Sequence, residues 1–210
     1  MNEPHNNTSL TLIARARSNE PDAWLRLVQL YGPLVYSWAR AADLQPGQVT
    51  DVAQDIFRAV RDELDDLPSD PGPVGSFRSW LWGITRRTII EHAQLAVQPR
   101  NGTDRPQPLA PEVHRLLHDE EQPPVMAGAE PRTLLITAAI RIIKAESESN
   151  TWDAFWRMTV HGETAATIAS DLGMPVRAVR QARYRVSRKL RELLAADLQE
   201  LSLAETEALT

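Results

Sequence analysis

Between Ala165 and Arg180 the chain reads Ala-Ala-Thr-Ile-Ala-Ser-Asp-Leu-Gly-Met-Pro-Val-Arg-Ala-Val-Arg, and few folds accommodate that order. Ala169 is small where two helices must approach closely. Gly173 follows four residues later, where a tight turn needs positive φ. Val179 comes six residues after that, as an inward residue of a second helix. Ile168, Leu172, Met174 and Ala182 complete the apolar contacts. This spacing predicts a helix-turn-helix. One position departs from the pattern: Pro175 stands where a Ser or Thr cap is expected, although proline is tolerated in a first helical turn.

The second helix is predicted from Pro175 to about Leu194, and its charge is one-sided. Seven basic residues lie between Pro175 and Arg191 (Arg177, Arg180, Arg183, Arg185, Arg188, Lys189, Arg191) with no acidic one. Beyond them come Glu192, Asp197, Glu200, Glu205 and Glu207 with no basic residue. The whole chain carries a net charge of -5, which alone argues against a nucleic-acid partner. DNA, however, responds to local charge within about 8–10 Å. Val176, Arg177, Arg180, Gln181 and Tyr184 point outward early in the helix, the part that enters a major groove. Arginine pairs bidentately with guanine and glutamine with adenine. Arg183, Arg185, Arg188 and Lys189 lie further along, where phosphate contacts are expected. The plainer reading is a solvated basic helix resting on an acidic partner.

The rest of the chain is predicted helical too. Trp24, Leu27, Val28, Leu30, Tyr31, Leu34, Val35 and Trp38 recur at helical spacing, with Gly32-Pro33 expected to kink or split the run. Gln45 to Gln48 reads as a turn. Val49, Val52, Ile56, Phe57, Val60 and Leu64 make one stripe, with Asp51, Gln54, Asp55 and Arg58 on other faces. Leu67 to Pro73 reads as an irregular loop, and Ser76 as a cap for a helix carrying Phe77, Trp80, Leu81, Ile84 and Ile89. Trp24, Trp38, Trp152 and Trp156 are expected in cores. Of Trp80 and Trp82, one at most can share the core face with Phe77 and Leu81. From Val97 to Pro131 lie seven of the fifteen prolines; that stretch reads as a linker, with room for a short helix near Glu112 to Glu121. The expected architecture is all-α: two small helical domains, 8–95 and 132–198, a proline-rich linker at 96–131 and an acidic tail at 199–210.

Several classes are set aside by what is missing. There is no cysteine, hence no disulfide and no thiolate zinc site. No secretory leader and no apolar run of membrane length is visible, so membrane insertion is not expected and a cytoplasmic setting is. His114 and His118 are spaced one helical turn apart, but further histidines at useful spacing are lacking, so no metal is expected. Asp62, Glu63, Asp65 and Asp66 read as a solvated helix end. No catalytic residue, cofactor or covalent chemistry is expected.

Two further segments precede the helix-turn-helix: Asp51-Val52-Ala53-Gln54-Asp55-Ile56-Phe57-Arg58-Ala59-Val60, and Gly75-Ser76-Phe77-Arg78-Ser79-Trp80-Leu81-Trp82-Gly83-Ile84-Thr85-Arg86-Arg87. In that order they resemble the extracytoplasmic-function sigma factors of bacterial RNA polymerase. That family commonly reads Asp-Leu-Val-Gln-Glu-Val-Phe in the first and Phe-Arg-Ala-Trp-Leu-x-x-Ile-Ala-Arg-Asn in the second. The resemblance spans about residues 10–94 and 132–195, and Thr151 to Arg157 looks like one subgroup of it.

The resemblance implies roles. The domain at 8–95 would be sigma region 2 and that at 132–198 region 4. Asp51, Gln54 and Asp55 would face the basic coiled coil of the largest subunit of core RNA polymerase, with Phe57 anchoring their helix. The loop at 67–76 and the start of the next helix would take a melted strand of the promoter −10 element, through Phe77, Arg78, Trp80, Arg86 and Arg87. Arg177, Arg180, Gln181, Arg183, Tyr184, Arg185 and Arg188 would dock the −35 element. An anti-sigma factor clamping both domains is also implied. Two positions depart from the family: Arg87 replaces a frequent Asn, and Glu91-His92-Ala93-Gln94 follows where the family is usually basic. Two other classes compete. One is a stand-alone helix-turn-helix regulator acting on duplex DNA without polymerase, which leaves the first-half segments unexplained. The other is an all-α metal-dependent hydrolase built on Asp51, Asp55 and the 62–66 carboxylates.

Overall fold

Among the described residues, proline opens helices more often than it ends them. The computed structural model describes residues 9–42, 44, 46–67, 77–97, 111–118 and 130–207, and all regular structure among them is helical. The helices are α1 (Ser9–Arg17), α2 (Pro21–Ala41), α3 (Pro46–Glu63), α4 (Phe77–Val97), α5 (Pro111–His118), α6 (Pro131–Ala145), α7 (Ser149–Thr159), α8 (Ala165–Leu172) and α9 (Val176–Glu207). Pro21, Pro46, Pro111 and Pro131 each stand first, where a missing N–H costs nothing and the fixed φ is already helical. The turn expected at Gln45–Gln48 is therefore shorter than it reads, because Gly47 and Gln48 are already in α3.

Among the described residues Pro33 is the one proline inside a helix, and α2 runs through it as a single element instead of two. An interior proline costs about 3 kcal/mol or more. Leu27 and Leu30 before it, and Leu34, Val35 and Trp38 after it, are all buried. At roughly 1.5–3 kcal/mol for each such side chain, burial on both sides of the proline outweighs the lost hydrogen bond.

The chain divides into two units, Met1–Leu30 with Leu135–Thr210, and Tyr31–Leu134. The division falls inside α2. In the first unit α1 packs on α9, and α7, α8 and α9 pack on one another. Leu12, Ile13 and Ala16 of α1 are buried, and so are Leu193, Leu194 and Asp197 of α9. α9 continues to Glu207, into the stretch expected as an acidic tail, through alanines and leucines with no glycine or proline to stop it.

In the second unit α3 packs on α4, and α4 on α5. Val49, Val52, Ile56, Val60 and Leu64 are buried as one stripe, while Phe57 is only half-buried. Two aromatic pairs tie α2 to α4. Tyr31 meets Phe77 edge-on at 4.8 Å, and Trp38 meets Trp82 at 5.3 Å; each such pair adds about 0.5–1.5 kcal/mol beyond area burial. Trp82, with Leu81, is the tryptophan of its pair that enters the core, and Trp80 is half-buried. Trp152 and Trp38 are core residues, whereas Trp24 and Trp156 are half-buried. The loop after Leu67 and the expected Ser76 cap lie outside the described residues.

Candidate nucleic-acid interface

The turn between α8 and α9 is built from backbone and small side chains. Thr164 caps α8, its hydroxyl accepting from the Thr167 N–H at 3.2 Å. Gly173 ends α8 at φ +63. Nothing lies within 4 Å of where a Cβ would stand, so glycine is required there by the dihedral and not by crowding. The Met174 N–H donates to the Ala169 carbonyl at 3.0 Å. Ala154, Ile168, Ala169, Val179 and Ala182 then close a core, with Met158, Leu172 and Met174 against it. The side-chain cap missing at Pro175 is replaced by its carbonyl, which accepts from Ala178 at 2.8 Å and Val179 at 3.2 Å.

At about 100° per residue, the buried Val179, Ala182, Val186 and Leu193 define one face of α9. Arg177, Gln181, Tyr184 and Arg188 fall on the opposite face, and all four are exposed. Arg180 flanks this stripe on one side and Arg185 on the other; Arg183 sits at the edge of the packed face. Tyr184 is 61% exposed and Val176 39%, so the stripe offers apolar surface between its cations. Arg188 is paired with Glu192 at 3.3 Å, where the basic half of the helix meets the acidic half.

The second unit presents a different chemistry. Asp51 and Gln54 are exposed on α3, and Asp55 is half-buried. Asp55 is already engaged: Arg58 pairs with one carboxylate oxygen, and His92 Nε2 on α4 lies 2.8 Å from the other. Arg87 on α4 pairs with Glu63 on α3. The pairs 55–92 and 63–87 advance in opposite directions, so α3 and α4 run antiparallel.

Along α4 the five residues named for the −10 element are not equally available. Arg87 is exposed, and Trp80 and Arg86 are half-buried. Phe77 and Arg78 are buried, each 6% exposed; the Phe77 ring packs on Tyr31 and, at 5.7 Å, on Trp80. Arg86 Nε donates to the Leu116 carbonyl of α5 at 2.5 Å. α5 therefore sits on α4, with Val113 and Leu116 buried.

Sequence reading had no means of finding His92 as a partner of Asp55, or Leu116 as a partner of Arg86. The pairs are 37 and 30 residues apart, and only helix packing brings them together. The His118 side chain of the histidine pair lies outside the described residues; among the described residues no group of His, Asp and Glu is arranged to hold a metal, and no helix is long and apolar enough to cross a membrane.

Residues 27–95 match the family model of sigma-70 region 2. No curated protein matches the sequence. The solved structure of CnrH in complex with the cytosolic domain of CnrY is 22% identical to this chain, covering 90% of it and 98% of CnrH, with a TM-score of 0.36.

Proposed function

We propose that this chain, which belongs to the sigma-70 family through its region 2, works as a sigma factor of the extracytoplasmic-function type. It binds core RNA polymerase, holds the melted −10 element with its second unit and docks the −35 element as duplex with α9. The observation that carries this reading is the region 2 match at residues 27–95. The exposed basic stripe of α9 supports it, since that helix lies outside the match and answers independently to a nucleic-acid partner.

The reading assigns Asp51, Gln54 and Asp55 to the coiled coil of the largest polymerase subunit. Trp80, Arg86 and Arg87 face the displaced strand; Phe77 and Arg78 reach it only if that end of α4 opens. Arg177, Arg180, Gln181 and Tyr184 read bases, while Arg183, Arg185 and Arg188 hold phosphates. No covalent chemistry is involved and the setting is cytoplasmic. Two DNA contacts on one tether raise each other's effective concentration, so neither must be tight alone. The family resemblance adds an anti-sigma partner.

In vitro transcription with core polymerase and a promoter library tests this directly. Selective initiation from templates sharing two spaced elements is expected. Tight, specific binding of the isolated chain to duplex DNA, with no polymerase-dependent initiation, would establish the stand-alone regulator instead.

A further inference from the structure

Arg157 ends the Thr151–Arg157 segment, and the turn chemistry above does not use it. It lies on α7, its side chain 24% exposed. Its Nε donates to both carboxylate oxygens of Glu163, at 2.9 and 3.0 Å, and its Nη2 also bonds Glu163. The same Nη2 reaches Asp171 Oδ2 at 2.6 Å. The Arg157 carbonyl meanwhile accepts from the Glu163 N–H at 3.1 Å. One residue thus closes the α7–α8 connection through backbone and side chain together.

The two carboxylates mark the two ends of α8. Glu163 immediately precedes the Thr164 cap, and Asp171 stands in the last turn. A carboxylate is favoured near a helix N-terminus and disfavoured near a C-terminus, where the dipole is negative. Asp171 is therefore at an unfavourable position that the Arg157 cation offsets. The ion pairs hold the Arg157 guanidinium charged far above any working pH and pull the Glu163 carboxyl below its usual range. A planar fork bound to two acceptors fixes orientation as well as distance.

The geometry points to Arg157 as the positioning residue of the −35 reader, a role that rests on the proposed function. It sets the rotation of α8 against α7, so that the first helix of the motif crosses the backbone while α9 meets the bases. Ala154 and the surrounding apolar contacts fix how far apart these helices lie. Apolar burial is non-directional, and the fork adds orientation to the backbone bonds at the two ends of α8.

The test uses holoenzyme reconstituted from the full chain and core polymerase. Open-complex formation is measured on the selected promoter, on one with its −35 element scrambled and on one with its −10 element scrambled. Arg157→Lys keeps the charge and loses the fork; Glu163→Gln with Asp171→Asn keeps the arginine and loses its partners; Arg157→Ala loses both. Each is expected to lower discrimination against the scrambled −35 element about tenfold, the size of one lost base contact, and to leave −10 discrimination unchanged. Combined, Arg157→Ala and the double variant should be non-additive. A lesion that merely destabilises the fold lowers active holoenzyme on all three templates and leaves both ratios as they were; that result, in Arg157→Lys and the double variant alike, would overturn the assignment even if Arg157→Ala fails to fold. Wild-type holoenzyme blind to the −35 element would instead overturn the proposed function.

Discussion

His92 Nε2 lies 2.8 Å from Asp55 Oδ2, joining α4 to the carboxylate that the proposed function gives to polymerase. Asp55 is held from its other side by Arg58. A basic coiled coil must therefore displace internal partners before it gains Asp55. Half-exposed pairs of this kind are worth about 0.2–1 kcal/mol. Removing the competitor with His92→Ala should tighten core-polymerase binding by about two- to fivefold, and Asp55→Asn should weaken it at least about tenfold. Fluorescence titration of labelled chain with core polymerase measures both. If neither substitution changes the affinity, the coiled coil does not use this carboxylate.

Under the proposed function, the Arg86–Leu116 bond places α5 in competition with a melted strand. Val113 is buried where α5 packs, and Val113→Asp should undock the helix by burying an unpaired charge. The Arg86–Leu116 bond is then lost. Holoenzyme carrying Val113→Asp should bind a single-stranded −10 oligonucleotide about two- to fivefold more tightly, the scale of one exposed cationic contact. Arg86→Ala in the same background should cancel the gain. Equal affinity in the wild type and Val113→Asp would mean that α5 does not obstruct the strand.

The local rules carried the sequence reading a long way. Ala169, Gly173 and Val179 specify a turn whose determinants are all within a few residues of one another, and the structure has that turn with φ +63 at Gly173. The α3 stripe was legible for the same reason, because period and burial coincide. Where the reading stopped, the cause was distance or context. Pro33 alone predicts a kink or a split, and only the buried leucines on both sides show why the helix continues through it. Nothing near Leu194 marks where α9 ends, since the acidic residues beyond it are also good helix formers. The packing of α1 on α9 joins opposite ends of the chain, and no periodicity can report that. Asp55–His92 and Arg157–Asp171 share this limit: each residue looks like ordinary surface until its partner is known.

Acid should remove a stabilising contribution from the helix-turn-helix. The Arg157 fork lowers the Glu163 pKa in the folded state relative to the unfolded chain. Such a group stabilises the fold above its unfolded pKa, near 4.5, and the contribution disappears as pH falls through the lower folded value. Melting curves between neutral pH and pH about 3 should therefore show a loss of stability that Glu163→Gln reduces. The variant starts less stable at neutral pH and converges on the wild type in acid. Parallel curves at every pH would show that Glu163 gains nothing from Arg157.

Position around α9 separates two kinds of arginine that the sequence alone presents as one block. Arg180 flanks the outward stripe early in the helix, the part that under the proposed function meets base edges. Arg183 is also exposed but lies at the edge of the packed face, beside Ala182 and Val186, so under the proposed function its reach is to the groove wall. Arg180→Ala should cost about 1–3 kcal/mol of discrimination at one promoter position and leave other positions unaffected. Arg183→Ala should weaken all sequences alike and reduce the salt slope of binding by about one. Holoenzyme titrations on a set of single-base −35 variants, at two or more salt concentrations, distinguish the patterns. A uniform loss from Arg180→Ala would move it to the phosphates and leave Arg177 and Gln181, on the centre of the stripe, as the residues that choose the sequence.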